Sequence, residues 1–178
     1  MLKLEVKSGI CARLLERRHA EKFYAFVERG RAHFENWIPF VSAMSSVEAA
    51  HAKISRYLEL FREGSGYFWG LWDTDRIVGL ILIKDIDEEA KTAEIGYMID
   101  EEYEGRGIIT ESCRLMINFI FGELNLRKVV LSCDDNNERS IGIARHFDFE
   151  LEGILKQNAV INGRLRNTMC WGLINGGM

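Results

Sequence analysis

The run Ala93-Glu94-Ile95-Gly96-Tyr97-Met98-Ile99-Asp100-Glu101-Glu102-Tyr103-Glu104-Gly105-Arg106-Gly107-Ile108-Ile109-Thr110-Glu111 decides the fold of this chain. It reads as a strand, a short acidic turn, a glycine loop and the first turn of a helix. Beyond it, Cys113, Met116, Ile117, Ile120, Phe121 and Leu124 recur at helical spacing, the apolar stripe of a core-facing helix. Gly105 and Gly107 bracket Arg106 just before that helix. Glycines there let the backbone turn tightly and let a ligand approach without meeting a Cβ. The helix's first turn offers unpaired N–H groups and the positive end of its dipole, a ready anion site. The stretch can thus be a phosphate cradle, and it can equally be a structural turn. Spacing alone leaves both open. Two other phosphate motifs are excluded. Thr110 stands where the third glycine of Gly-x-Gly-x-x-Gly would be, and no Gly-x-x-x-x-Gly-Lys-Ser/Thr occurs.

Working outward, Tyr67–Trp72, Ile77–Lys84 and Thr92–Ile99 read as strands joined by the short acidic turns Asp73-Thr74-Asp75 and Asp87-Glu88-Glu89, an antiparallel meander. After the central helix, Lys128–Cys133 is a β-branched strand that must cross back over it, which predicts a parallel neighbour. Asn137 offers an N-cap for a short helix through Ala144 and Phe147. Leu151–Ile161 and Leu165–Ile174 flank Asn162-Gly163, a hairpin with a type I′ turn. Toward the N-terminus, Ile10–Leu15 has the composition of a first strand. A helix follows from about His19 to Arg29, with Ala20, Phe23, Phe26 and Val27 turned inward. Pro39 bars a regular helix across Trp37-Ile38-Pro39-Phe40-Val41. Ser45 and Glu48 form a capping box for a helix through Val47, Ala50, Ile54, Leu58 and Phe61, which Gly64-Ser65-Gly66 stops. The prediction is an α/β chain with a mixed, mostly antiparallel central sheet flanked by helices. With no repeat, low-complexity segment or linker, residues 1–178 are expected to form one domain.

Length and composition agree. The 178 residues, 47% hydrophobic and 28% charged, suit one ordinary globular domain with a substantial core. A net charge of −4 lacks the basic footprint of a nucleic-acid binder and mildly favours a cationic partner such as an amine. Cys11, Cys113, Cys133 and Cys170 are widely spaced and contain no C-x-x-C, so reduced core thiols are expected rather than a metal or disulfide framework. No apolar run approaches the roughly 18 residues that suggest a membrane span, and the first residues lack a signal-peptide layout. The expectation is a cytoplasmic protein with no membrane partner.

The run Ile95-Gly96-Tyr97 with Tyr103-Glu104-Gly105-Arg106-Gly107-Ile108-Ile109-Thr110-Glu111 resembles the acetyl-CoA loop of the GCN5-related N-acetyltransferases, the GNAT superfamily. More narrowly, it is similar to the RimJ/RimL-like branch, which acetylates protein N-termini such as those of ribosomal proteins. A second block, Asn137-Glu138-Arg139-Ser140 with Ala144 and Phe149-Glu150-Leu151-Glu152-Gly153, agrees, and so does Asn162-Gly163-Arg164 before an apolar strand. The likeness runs from Arg13-Leu14-Leu15-Glu16 to Leu173. The chain departs from the family pattern in four places. Glu104 replaces the usual Gln or Arg, and Ile109 a frequent Gly or Ala, as is common in the RimL branch. Asp148 precedes Phe149 where Gly is usual, and Ala159 stands where RimL-like proteins often carry a Glu.

The resemblance implies the GNAT fold and acetyl-CoA as cofactor. It implies that backbone groups of Tyr97, Met98 and Ile99 pair with the pantetheine arm, and that Arg106, Gly107, Ile108, Ile109 and Thr110 hold the pyrophosphate. Asn137 would bond the pantetheine, with Arg139 as a further phosphate contact. Ser140 would stand near the sulfur as donor to the departing thiolate. Trp37 and Phe40 would wall the acceptor groove. Glu94 is the nearest carboxylate to replace the missing Glu as base, and it can equally be a surface charge on an amphipathic strand. The expected acceptor is the α-amine of a protein N-terminus. A small amine such as an aminoacyl nucleotide toxin or a polyamine, or a non-catalytic acyl-CoA-binding role, is the alternative, and a homodimer is left open. Glu101, Glu102 and Glu104 are expected to face solvent, away from any pyrophosphate. His19, His33, His51 and His146 lack pair spacing with any carboxylate or cysteine and are expected to be structural, and no metal site is expected.

Overall fold

The computed structural model describes residues 3–176. Among these, strands β1 (Lys3–Lys7), β2 (Ile10–Leu14), β3 (Tyr67–Asp73), β4 (Arg76–Asp87), β5 (Thr92–Ile99), β6 (Lys128–Asp134), β7 (Glu150–Ile161) and β8 (Arg164–Ile174) form one sheet. Their order across it is β1-β2-β3-β4-β5-β6-β8-β7. Every pairing is antiparallel except β5 with β6, which the crossover through the central helix makes parallel. The helices are α1 (Ala20–Phe34), α2 (Phe40–Ala43), α3 (Val47–Glu63), α4 (Ile108–Asn118) and α5 (Glu138–His146). This is the mixed, mostly antiparallel sheet flanked by helices that the sequence predicts.

The strands bury both faces. On one, Ala93 and Ile95 of β5 pack with Cys113, Met116 and Ile117 of α4 and Ile141 and Ala144 of α5. On the other, Phe23, Phe26 and Val27 of α1 and Ile54 of α3 cover Phe68, Trp72, Leu80 and Met98. Trp69 and Trp72 are thus core residues. The α4 stripe continues as Ile120 in a wider turn over Phe119–Glu123, with Phe121 and Leu124 packed at its edge. Cys11, Cys113, Cys133 and Cys170 are free thiols, two of them buried.

Three local expectations shift. Ile10–Leu14 is the second strand, because Lys3–Lys7 pairs outside it through a turn at Ser8 (φ 53) and Gly9 (φ 80). The alternation of Leu4 and Val6 with charged neighbours carries that signal. Helix α1 runs past Gly30 to Phe34, since a bare Gly30 leaves the space that the Phe34 ring fills. The N-cap of α3 is Ser46, not Ser45: the Ser46 hydroxyl accepts the Ala49 N–H at 3.2 Å. The second-block departure also has a cost. Asp148 takes a left-handed conformation (φ 57) that glycine would adopt freely.

Candidate active site

Strands β5 and β6 pair only from Thr92–Ile95 against Lys128–Leu131. Beyond that, β5 continues on β4 as far as Ile99, and β6 continues on β8 as far as Asp134. The two strands therefore part at Gly96 and Ser132, and alternate backbone N–H and C=O groups facing the split lose their ladder partners. Strand periodicity does not show this opening, which only the family resemblance implies. Two clefts meet in it. One, of about 430 Å³, runs from the glycine loop to the split. The other, a groove of about 400 Å³, runs along β5 and β6 below α3. Trp37, Ile38, Tyr97, Met98, Asn137 and Ser140 line both.

The glycine loop is braced from below. The buried Asp100 at the end of β5 accepts from Arg29 at 2.7 Å and Arg76 at 3.1 Å. The Tyr103 hydroxyl then donates to Asp73 at 2.7 Å. Gly107 caps α4 with φ 73, and no side chain caps that helix. Its first-turn N–H groups are thus open to an anion, and Ile108, Ile109 and Thr110 line the first cleft. Lys7 of β1, which the sequence reading missed with its strand, holds its ammonium over Gly107, 2.7 Å from where a Cβ would stand. The Arg106 side chain does not line the cleft. Its guanidinium turns back to the Glu102 carbonyl at 2.6 Å and lies over the Tyr103 ring.

At the meeting point, the Asn137 side chain accepts the Ser140 N–H at 3.1 Å, so one residue both caps α5 and fixes Ser140. The Tyr97 hydroxyl is buried and has no partner in strict hydrogen-bond geometry. Burial pushes its pKa far above the usual phenol range, the Cys113 thiol adds to that, and the nearby Ser140 side chain pulls the other way. Tyr97 therefore stays protonated at working pH, a hydrogen-bond donor rather than a base.

Two expectations about charge are corrected here. Glu104 does not face solvent. Its side chain is only 15% exposed, and it pairs with His33 Nε2 at 3.0 Å and with Arg139. His33 accordingly has a carboxylate partner, one that sequence spacing could not show because helix α1 and the loop are far apart in the chain. Together His33, Glu104 and Arg139 line the mouth of the first cleft. The Arg139 guanidinium and the His33 ring beside it are what let an acidic side chain stay at an anion site. Glu101 and Glu102 are exposed, as expected.

Trp37 lines both clefts and Phe40 the groove alone. Glu94 also lines the groove, but its carboxylate is bound by Lys84 at 3.0 Å. It precedes Tyr97 by three residues, about 10 Å at roughly 3.3 Å per strand residue. Ala159 lines neither cleft.

Against known proteins, the family model described as the acetyltransferase (GNAT) domain matches residues 10–150. The chain belongs to the GNAT acetyltransferase family. It is an acetyl-transferring enzyme with acetyl-CoA as cofactor. Among its relatives is the protein of Bacillus subtilis (strain 168) named "Putative ribosomal N-acetyltransferase YdaF", 29% identical over 98% of this chain and 96% of that protein. The ribosomal-protein-serine acetyltransferase of Escherichia coli (strain K12) is 27% identical over 89% of each. Among solved structures, a RimL ribosomal L7/L12 alpha-N-protein acetyltransferase in complex with coenzyme A superposes with a TM-score of 0.91 at 22% identity, covering 97% of each chain. That last likeness concerns the fold.

The residues of this GNAT chain fit acetyl-CoA. The left-handed Gly107, the uncapped start of α4 and a cleft leading from there into the split supply an anion cradle, a channel and unpaired strand backbone in sequence. No helix among the described residues is long and apolar enough to cross a membrane.

Proposed function

We propose that this acetyltransferase modifies the α-amine of a protein N-terminus, in the manner of the RimL-type enzymes. The observation that carries the reading is the second groove, which follows β5 and β6 and meets the cofactor cleft beside Ser140. An extended peptide spans about 3.3–3.6 Å per residue, so three or four N-terminal residues can lie along it with the amine at the split. The named activities of the Bacillus and Escherichia relatives support a ribosomal protein as acceptor.

When bound, acetyl-CoA supplies an acyl thioester. Gly107 and the N–H groups of Ile108, Ile109 and Thr110 would hold its pyrophosphate, with Lys7 and Arg139 as flanking cations. Asn137 and the open backbone of Tyr97, Met98 and Ile99 would hold its pantetheine arm. Ser140 and Tyr97 would donate hydrogen bonds where charge gathers on its sulfur. Trp37 and Phe40 wall the acceptor path. Glu94, tied to Lys84 and about 10 Å along the strand from Tyr97, is poorly placed as base. An amine that arrives neutral needs none, because proximity and a polarised carbonyl suffice. Glu94→Gln is therefore expected to lower kcat less than about tenfold and to leave the pH–rate profile unshifted, short of the 10²–10⁴-fold of a true general base. A larger drop with a shifted profile would restore Glu94 as base.

The test of the acceptor is competition. An α-amine titrates near 7.7–8.0 and a lysine ε-amine near 10.4, so far more of the former is neutral at pH 7. Rates should rise with pH up to the α-amine's own pKa. Mass spectrometry of a peptide carrying both amines, mixed with spermidine, should find acetyl on the α-amine. Acetylation of ε-amines or spermidine alone would replace this reading with the other acceptor class.

A further inference from the structure

Charges along the acceptor groove are matched, with one exception. Glu94 is bound by Lys84, and Lys84 also reaches Asp85, each at 3.0 Å. Asp134 is held by Arg166 at 2.7 Å and accepts the Asn136 N–H at 2.8 Å. Lys53 of α3 also lines the groove but has no carboxylate partner among the described residues. Its ammonium lies over the Phe40 ring, 4.0 Å from the centroid, and 5.5 Å from that of Tyr57. Burial against these rings pulls its pKa down, a shift that an anionic partner would offset.

The position of this cation can be read along the strand. The charges of Lys84, Asp85 and Glu94 act on the Tyr57 hydroxyl, so Tyr57 and Lys53 belong to the Glu94 end of the groove. Glu94 precedes Met98 by four residues, about 13 Å at roughly 3.3 Å per residue. The split opens at Gly96 and Tyr97, two to three residues from Glu94, so an extended peptide whose amine lies there reaches Lys53 with about its third or fourth residue.

Resting on the peptide reading above, we propose that Lys53 selects acceptors by binding a carboxylate at the third or fourth residue of the N-terminal segment. Phe40 and Tyr57 hold the ammonium in place and shield it from water, so the incoming carboxylate gains a partly desolvated, charge-assisted bond. Asp or Glu at that position would be favoured, and Lys or Arg would meet an unneutralised like charge. The preference lies in binding rather than in chemistry, because Lys53 stands away from the reacting amine.

The experiment uses amidated hexapeptides that differ only in Glu, Gln or Lys at residues three and four. The wild-type enzyme should prefer Glu over Gln by about tenfold in kcat/KM, mainly through KM, the size of one such ion pair. In Lys53→Met the Glu/Gln ratio should fall to near one, and in Lys53→Glu the Lys peptide should become the best of the three. Calorimetry of the N-acetylated products should give the same order, independent of turnover. Equal use of all three peptides by the wild type, or a Glu preference that survives in Lys53→Met, overturns the assignment while leaving the peptide reading intact. Failure to acetylate any peptide while spermidine is acetylated overturns both.

Discussion

Gly107→Val is expected to weaken acetyl-CoA binding by about 10²-fold in a protein that still folds. Gly107 sits at φ 73 as the cap of α4. A residue with a Cβ pays roughly 1–2 kcal/mol to hold that left-handed conformation, and a β-branched one sits there worst. The new Cβ would also stand 2.7 Å from the Lys7 ammonium, but this is the tip of a flexible side chain and can move aside. The fold therefore survives while the loop relaxes away from φ 73. That rotation turns the N–H groups of Ile108, Ile109 and Thr110 off their common focus and thrusts an isopropyl group into the cradle. Each charge-assisted hydrogen bond lost is worth about 1.5–3 kcal/mol, and two of them account for the predicted factor. Gly107→Ala, with the same strain but less bulk, should fall between. Calorimetry with acetyl-CoA, beside a thermal melt, checks both. Unchanged affinity in a folded Gly107→Val protein would reduce the loop to a structural turn.

The sequence made the cofactor side legible because its determinants are local. The Gly105-Arg106-Gly107 loop, the α4 stripe and the Asn137 cap each lie within one short segment, and backbone geometry follows from residue type at such places. The strand order near the site was legible for a similar reason: short turns force antiparallel neighbours, and a helix crossover forces the parallel pair. The missing features are all products of tertiary assembly. The split between β5 and β6 leaves no mark on either strand's pattern. Glu104 was expected in solvent because an acidic cluster beside a pyrophosphate is unfavourable, yet this one folds under His33 and Arg139. Glu94 looked like an available base because its partner Lys84 sits on another strand. Nothing in the sequence singles out Lys53, and only the packing of Phe40 and Tyr57 around it sets it apart. Charges were misjudged where apolar residues were not, because burial is written in periodicity and pairing is not.

Ser140→Ala is expected to lower kcat by about 10²-fold while acetyl-CoA affinity changes less than about threefold. Ser140 lines both clefts where they meet, and the Asn137 side chain fixes its backbone at the start of α5, so the residue is held at the junction. With acetyl-CoA bound, negative charge would gather on its leaving sulfur, and a hydrogen-bond donor positioned there typically contributes about 10²–10⁴-fold. Tyr97 bears on the same step. Its hydroxyl is buried beside Ser140 without a well-aligned hydrogen bond, an arrangement that costs a folded protein part of the roughly 1–3 kcal/mol of an unsatisfied polar group. Such a cost is tolerated where the group has work to do when a ligand arrives. Since burial keeps the phenol protonated, it can feed Ser140 with a hydrogen bond as Ser140 donates onward. Tyr97→Phe should therefore raise thermal stability and lower kcat together. The double variant decides how the two act. If Tyr97 works through Ser140, removing both should cost little more than removing Ser140 alone, a coupling that a double-mutant cycle reads directly. Fully additive losses would mean two independent donors, and an unaltered kcat in Ser140→Ala would remove the hydroxyl from the chemistry altogether.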